Sequence, residues 1–118
     1  MAGKLSTHVL DTYKGAPAEG IAWALDYLNE SEVWIRLTKG VTNSDGRTDG
    51  ALLLDEALKT GKYRLLFEVG AYFESQQVAL PDPAFLDEVV LQFNLLAGES
   101  YHVPLLTSPW SYSTYRGS

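Results

Sequence analysis

Apolar residues recur at every second position through most hydrophobic runs of this chain, and clusters of Gly, Pro, Asn and Asp separate the runs. A period of two puts alternate side chains on opposite faces of a strand, so the pattern predicts a β-rich fold. The first run, Leu5 to Leu10, is closed by Lys14-Gly15-Ala16-Pro17. In the second, Ile21 to Leu28, Ile21, Trp23, Leu25 and Tyr27 alternate with Ala22, Ala24, Asp26 and Leu28. Its alanines also suit a helix, but Gly20 and the period of two favour a strand. Val33 to Leu37 places Val33, Ile35 and Leu37 on one face. Asn43-Ser44-Asp45-Gly46 reads as a tight turn, because Asn, Asp and Gly tolerate positive φ. Strands over Lys62 to Val69, Val89 to Leu95, Tyr101 to Thr107 and Tyr112 to Arg116 complete a set of seven or eight. Two segments break the alternation. Ala51 to Leu58, ahead of Gly61, suits a short helix capped by Asp49. Ala71 to Gln77 suits one or two helical turns, ended by Pro81-Asp82-Pro83. Short strands with little helix predict an all-β sandwich of two sheets.

Parity then sorts the faces. Tyr101, Val103 and Leu105 share one face and His102, Pro104 and Leu106 the other; likewise Leu5, Thr7 and Val9 oppose Ser6, His8 and Leu10, and Tyr115 faces with Ser113. The first set can fill a core. The second combines Leu10, Pro104 and Leu106 with two histidines and a tyrosine, an unusual surface to leave in water. It is expected to be covered by another copy of the chain, and self-association of this kind is normally symmetric. Any site on that face would then be assembled from more than one subunit.

Composition narrows the function. The 118 residues predict a single domain over 1–118. A net charge of −6 repels phosphate backbones and anionic membranes, which argues against nucleic-acid or membrane partners. No stretch approaches a membrane span, and the start reaches Lys4 and His8 too early for a signal-peptide core. A cytoplasmic protein is expected. Cysteine is absent, which removes disulfides, thiolate zinc sites and cysteine nucleophiles.

The remaining chemistry sits in few residues. His8 and His102 are the two histidines, both on the second face, with unperturbed pKa values suited to moving protons near neutrality. Arg47 follows the tight turn, where it is either an exposed loop cation or a fork of donors for a planar carbonyl. The tail Tyr115-Arg116-Gly117-Ser118 either frays, as termini commonly do, or is held by the strand before it. There is no phosphate loop, nucleophile elbow or His-x-x-x-His spacing. Metal binding by the histidines stays open, though carboxylates to complete a catalytic zinc site are not evident.

Leu5-Ser6-Thr7-His8-Val9-Leu10-Asp11-Thr12, Gly15-x-Pro17-Ala18, Thr42-Asn43-x-Asp45-Gly46-Arg47, Gly61-x-Tyr63, Tyr72-Phe73, Tyr101-His102-Val103-Pro104-Leu105-Leu106 and Tyr115-Arg116-Gly117-Ser118 closely resemble the 5-hydroxyisourate hydrolases of the transthyretin family. The resemblance covers nearly the whole chain, and the Tyr-Arg-Gly-Ser ending separates these hydrolases from transthyretin. It implies a transthyretin-like eight-stranded antiparallel β-sandwich with one short helix, assembled as a homotetramer, a dimer of dimers. It implies hydrolysis of 5-hydroxyisourate, the unstable product of urate oxidation, to 2-oxo-4-hydroxy-4-carboxy-5-ureidoimidazoline, with no metal or other cofactor. His8, Arg47 and His102 match the catalytic positions. Tyr115 and Ser118 match the substrate-binding tail, with His8 and Arg47 also touching substrate in a cleft between dimers. Ser100, Thr107 and Trp110 depart from the usual pattern; at Ser100 the family often has histidine. The rival implication is a non-enzymatic carrier that binds a small aromatic ligand as transthyretin does.

Overall fold

The computed structural model describes residues 2–117. Two layers of strands enclose one core. One layer is an antiparallel sheet in the order β5-β4-β7-β8, built from β4 (Ala22–Leu28), β5 (Trp34–Val41), β7 (Gly61–Glu68) and β8 (Glu88–Leu95). The other comes from runs broken in the middle: Leu5 to Leu10 becomes β1 (Lys4–Ser6) and β2 (Val9–Asp11), and Tyr101 to Thr107 becomes β9 (Ser100–His102) and β10 (Leu105–Thr107). Around these halves lie β6 (Leu53–Leu54), β11 (Tyr112–Thr114) and the two-residue β3 (Ala16–Pro17), in the orders β6-β1-β9 and β11-β10-β2-β3. The result is the transthyretin-like sandwich of eight strands, once the broken runs are joined and β3 is set aside.

One feature of the expected fold is corrected. The sandwich is not antiparallel throughout, since β1 pairs with β9 and β2 with β10 in parallel. Alternation has the same period in either orientation, so it fixes a strand's faces and not its partner's direction. The ladder runs on through both breaks, with the Val103 and Leu105 amides donating to the Ser6 and His8 carbonyls at 2.9 Å. At the first break His8 bridges to Arg47 instead of continuing a strand.

Face parity is otherwise as the alternation predicts. Leu5, Thr7, Val9, Val103 and Leu105 are buried, as are Tyr63, Leu65 and Phe67 of β7. Each large apolar side chain withdrawn in this way contributes about 1.5–3 kcal/mol. Ser6, His8, Leu10, His102 and Leu106 stay half-buried on the outer side, while Pro104 turns inward at the second break. Val33, Ile35 and Leu37 are each more than 40% exposed, although Ile35 lies opposite Tyr27 on the side of the sheet that carries the buried Tyr63.

The helix at Ala71 to Gln77 is present as α1 (Val69–Ser75), which packs Val69, Tyr72 and Phe73 into the core. The Tyr72 hydroxyl ties it to β2 by donating to Asp11 Oδ2 at 2.8 Å. The helix expected over Ala51 to Leu58 is not formed. Leu53 and Leu54 pair antiparallel with Leu5 and Lys4, leaving only a 3₁₀ turn at Asp55–Ala57. Asp49 caps nothing and accepts from Asn43 Nδ2 instead. Pairing an otherwise open edge of β1 outweighs the helix preference of a leucine-rich segment.

Candidate active site

The site is built where the parallel register brings β1 and β9 side by side. Ser6 is the direct neighbour of His102, and His8 follows two residues on, on the same face. His8 Nδ1 and His102 Nε2 stand 2.6 Å apart. The ring centroids are 4.8 Å apart and the planes differ by 15°. Stacked faces cannot bring ring atoms that close, so the two imidazoles meet edge to edge in a shared hydrogen bond. The other nitrogen of His102, Nδ1, meets Ser6 Oγ at 2.8 Å. Both ring nitrogens of His102 are thereby engaged, whereas His8 Nε2 has no hydrogen-bond partner among the described residues.

Arg47 arrives by a different route. Asn43 shapes its turn, its side-chain oxygen accepting from the amides of Asp45 and Arg47 and its carbonyl from Gly46. Gly46 sits at φ +72°, and a Cβ there would stand 2.4 Å from the Val9 carbonyl oxygen. Only glycine permits that approach, which lets the Val9 amide donate to the Gly46 carbonyl at 2.8 Å. The turn is thus clamped to the first strand, and Arg47 bridges to His8. A recess of about 210 Å³ shares Ser6 and Arg47 with the site and is also lined by Lys4 and Thr48.

Burial and nearby charge favour the neutral form of both rings. His8 is held below the usual histidine range chiefly by burial, then by the neighbouring His102 and Arg47. Burial also leads for His102, followed by the charges of Arg47 and Lys4. Two neutral imidazoles with one proton between them form a base with a reserve, since a proton taken at His8 Nε2 can be shared with His102. Arg47 is exposed, and its charge, which acts on both rings, suits a developing oxyanion.

The tail is brought to the same place by its backbone. The Gly117 amide donates to the His102 carbonyl at 2.7 Å, and the His102 amide donates back at 3.1 Å. A Cβ on Gly117 would stand 3.1 Å from the Cβ of His102. Arg116 turns away, donating to the Ser100 carbonyl and lying 4.6 Å over the Tyr101 ring. Tyr115 is half exposed and lines a separate cleft of about 470 Å³, between β8 and the β11 end, with Tyr101, Tyr112 and Arg116. Within one chain it is not brought onto the histidines. Ser118 lies outside the described residues.

The residues missed by pattern alone are Ser6 and Lys4. Ser6 shares a face with His8, a signal that parity carried, but its contact with His102 needs the register. Among the described residues no cluster of three or more His, Asp or Glu is placed to hold a metal ion. No helix is long and apolar enough to cross a membrane.

The profile described as the HIUase/Transthyretin family matches residues 5–117. A 5-hydroxyisourate hydrolase of Ralstonia nicotianae is 52% identical over 98% of this chain and 99% of its own length. Among solved structures, an (S)-allantoin synthase aligns with a TM-score of 0.94 at 42% identity, covering 99% of this chain and 44% of the synthase. A sea bream transthyretin in complex with thyroxine aligns at 0.86 and 27% identity, over 97% of this chain and 94% of that one.

Proposed function

Because this chain belongs to the HIUase/transthyretin family, we propose that it hydrolyses 5-hydroxyisourate to 2-oxo-4-hydroxy-4-carboxy-5-ureidoimidazoline, with His8, Arg47 and His102 as the catalytic residues. The observation that carries this reading is the 2.6 Å contact between the histidines, with His8 paired through its backbone to Arg47, whose charge bears on both rings. The hydrolase name of a relative sharing half its residues supports the substrate.

Opening a cyclic amide needs an activated water, stabilisation of the oxyanion and a proton for the leaving nitrogen. His8 Nε2 removes the proton from water as its oxygen attacks the ring carbonyl. The excess proton is shared through Nδ1 with His102. Arg47 holds the substrate and steadies the oxyanion. As the C–N bond breaks, His8 returns the proton to nitrogen, the ring opens, and the carbonyl carbon becomes a carboxylic acid that loses its remaining proton to solvent. Tyr115 and Ser118 close the pocket from the tail. Because Tyr115 lies away from the histidines of its own chain, the reading includes a homotetramer, a dimer of dimers, with the half-buried outer face around His8, Leu10, His102 and Leu106 covered by a second copy. A single domain over 1–118 working in the cytoplasm completes it.

Replacing His102 with Asn removes the partner that shares the proton. General acid–base assistance is worth about 10²- to 10⁴-fold, so steady-state turnover of 5-hydroxyisourate by His102→Asn should fall by at least that order while the assembly stays intact. Near-normal turnover would remove His102 from the mechanism. A carrier of small aromatic ligands would have no such dependence.

A further inference from the structure

We infer that Ser6 is a positioning residue for the histidine pair, holding His102 so that His8 presents an unprotonated Nε2 to the reacting water. The inference rests on the reading of the pair as the group that handles the proton. Ser6 Oγ lies 2.8 Å from His102 Nδ1, and the hydroxyl makes no other hydrogen bond among the described residues. Its carbonyl is fixed in the ladder by the Val103 amide. Serine is not a strand former by preference. What it supplies here is a hydroxyl able to donate or accept.

Proton accounting shows why that matters. A neutral imidazole donates from one nitrogen and accepts at the other, so Ser6 and His8 must play opposite parts toward His102. If Ser6 donates to Nδ1, then His102 Nε2–H donates to His8 Nδ1, and the outward His8 Nε2 carries the proton. That form cannot act as a base. If Ser6 accepts from Nδ1–H, then His8 Nδ1–H donates to His102 Nε2, and His8 Nε2 is bare. From this second form His8 takes a proton from water at Nε2 and passes its Nδ1 proton to His102 Nε2. His102 then holds protons on both nitrogens and keeps donating Nδ1–H to the Ser6 oxygen. Nothing leaves Ser6. When His8 gives its Nε2 proton to the departing nitrogen, the His102 Nε2 proton returns to His8 Nδ1, and the starting arrangement is restored. The serine thus plays the part that a third group plays behind the base in a catalytic triad.

The test compares Ser6→Ala and Ser6→Thr in the full chain, by two measurements. The first is the ¹⁵N chemical shifts of the His102 ring nitrogens in the free protein, which need no substrate. The second is kcat and KM on 5-hydroxyisourate generated by urate oxidase. Ser6→Thr keeps the hydroxyl and should match the parent in both. Ser6→Ala should show His102 shifts displaced toward a tautomer mixture, with kcat lowered about tenfold or more and KM within about twofold. Parent-like shifts and kcat in Ser6→Ala would overturn the inference. Equal losses in Ser6→Ala and Ser6→Thr would also overturn it, by showing that packing of the strand is what matters. If the parent protein fails to turn over 5-hydroxyisourate, the proposed function falls, and the nitrogen shifts still decide whether Ser6 sets the state of His102.

Discussion

Two imidazoles with nitrogens 2.6 Å apart cannot both carry a proton on the facing atoms, and the surroundings decide how many protons the pair holds. Burial comes first for both rings, and the cations acting on them are Arg47 on both and Lys4 on His102. All of these disfavour the charged form, so each pKa lies below the ordinary 6.5. If the working state is neutral, activity is present above the lowered values and is lost as pH falls through them. The acid limb of the kcat/KM profile should therefore fall below 6.5, and a limb at or above 7 would contradict a neutral working pair. Stability moves in the same direction. The unfolded chain binds protons at these positions more readily than the folded one, so acidification below about 6.5 draws the equilibrium toward unfolding. Part of the candidate site's geometry was legible in the sequence: parity put His8 and His102 on one face, and the turn before Arg47 was evident. Their contact was not, because it depends on which residue of β9 lies beside Ser6, and alternation is blind to register between strands so far apart in sequence.

At the scale of elements, alternation located nearly all the strands, and it failed where an edge needed a partner. Leu53 and Leu54 carry a helical composition yet serve as β6, because the backbone of β1 offers unpaired groups and the leucine-rich segment is within reach. Similarly, Ile35 and Leu37 stay exposed because β5 lies at the sheet edge, and a bulge in its pairing with β4 leaves Leu37 out of the register. The tail is the element that touches the histidine pair from outside its own strands. After β11 it is held to His102 by paired backbone hydrogen bonds at Gly117, and the close approach explains the glycine. A methyl group there would press on the Cβ and carbonyl of His102 at 3.1 and 3.2 Å, so Gly117→Ala should shift the tail and the imidazole together. Displacing a catalytic group on this scale costs between about tenfold and 10²-fold in rate. We expect such a loss in kcat with a melting temperature within a few degrees of the parent, because the core lies on the other face. A parent-like kcat, measured beside thermal unfolding, would show that the tail's docking is not needed.

At the scale of the whole molecule, the proposed site needs more than one chain. The outer face carrying the histidines is half-buried and partly apolar, and Tyr115 stands over a different cleft from the pair. Light scattering on the purified protein should give four times the 13.0 kDa chain mass; a monomer with full activity would remove the intersubunit site. Alternation gave the reason to expect a second copy, a face too apolar for water, but it does not report how many copies assemble or how they are arranged. The most direct measurement is the decay of 5-hydroxyisourate, generated by urate oxidase and followed by its absorbance, with and without the protein. Hydrolysis at the histidine pair predicts that decay accelerates in proportion to protein concentration; decay at the buffer rate, whatever the protein concentration, would contradict it.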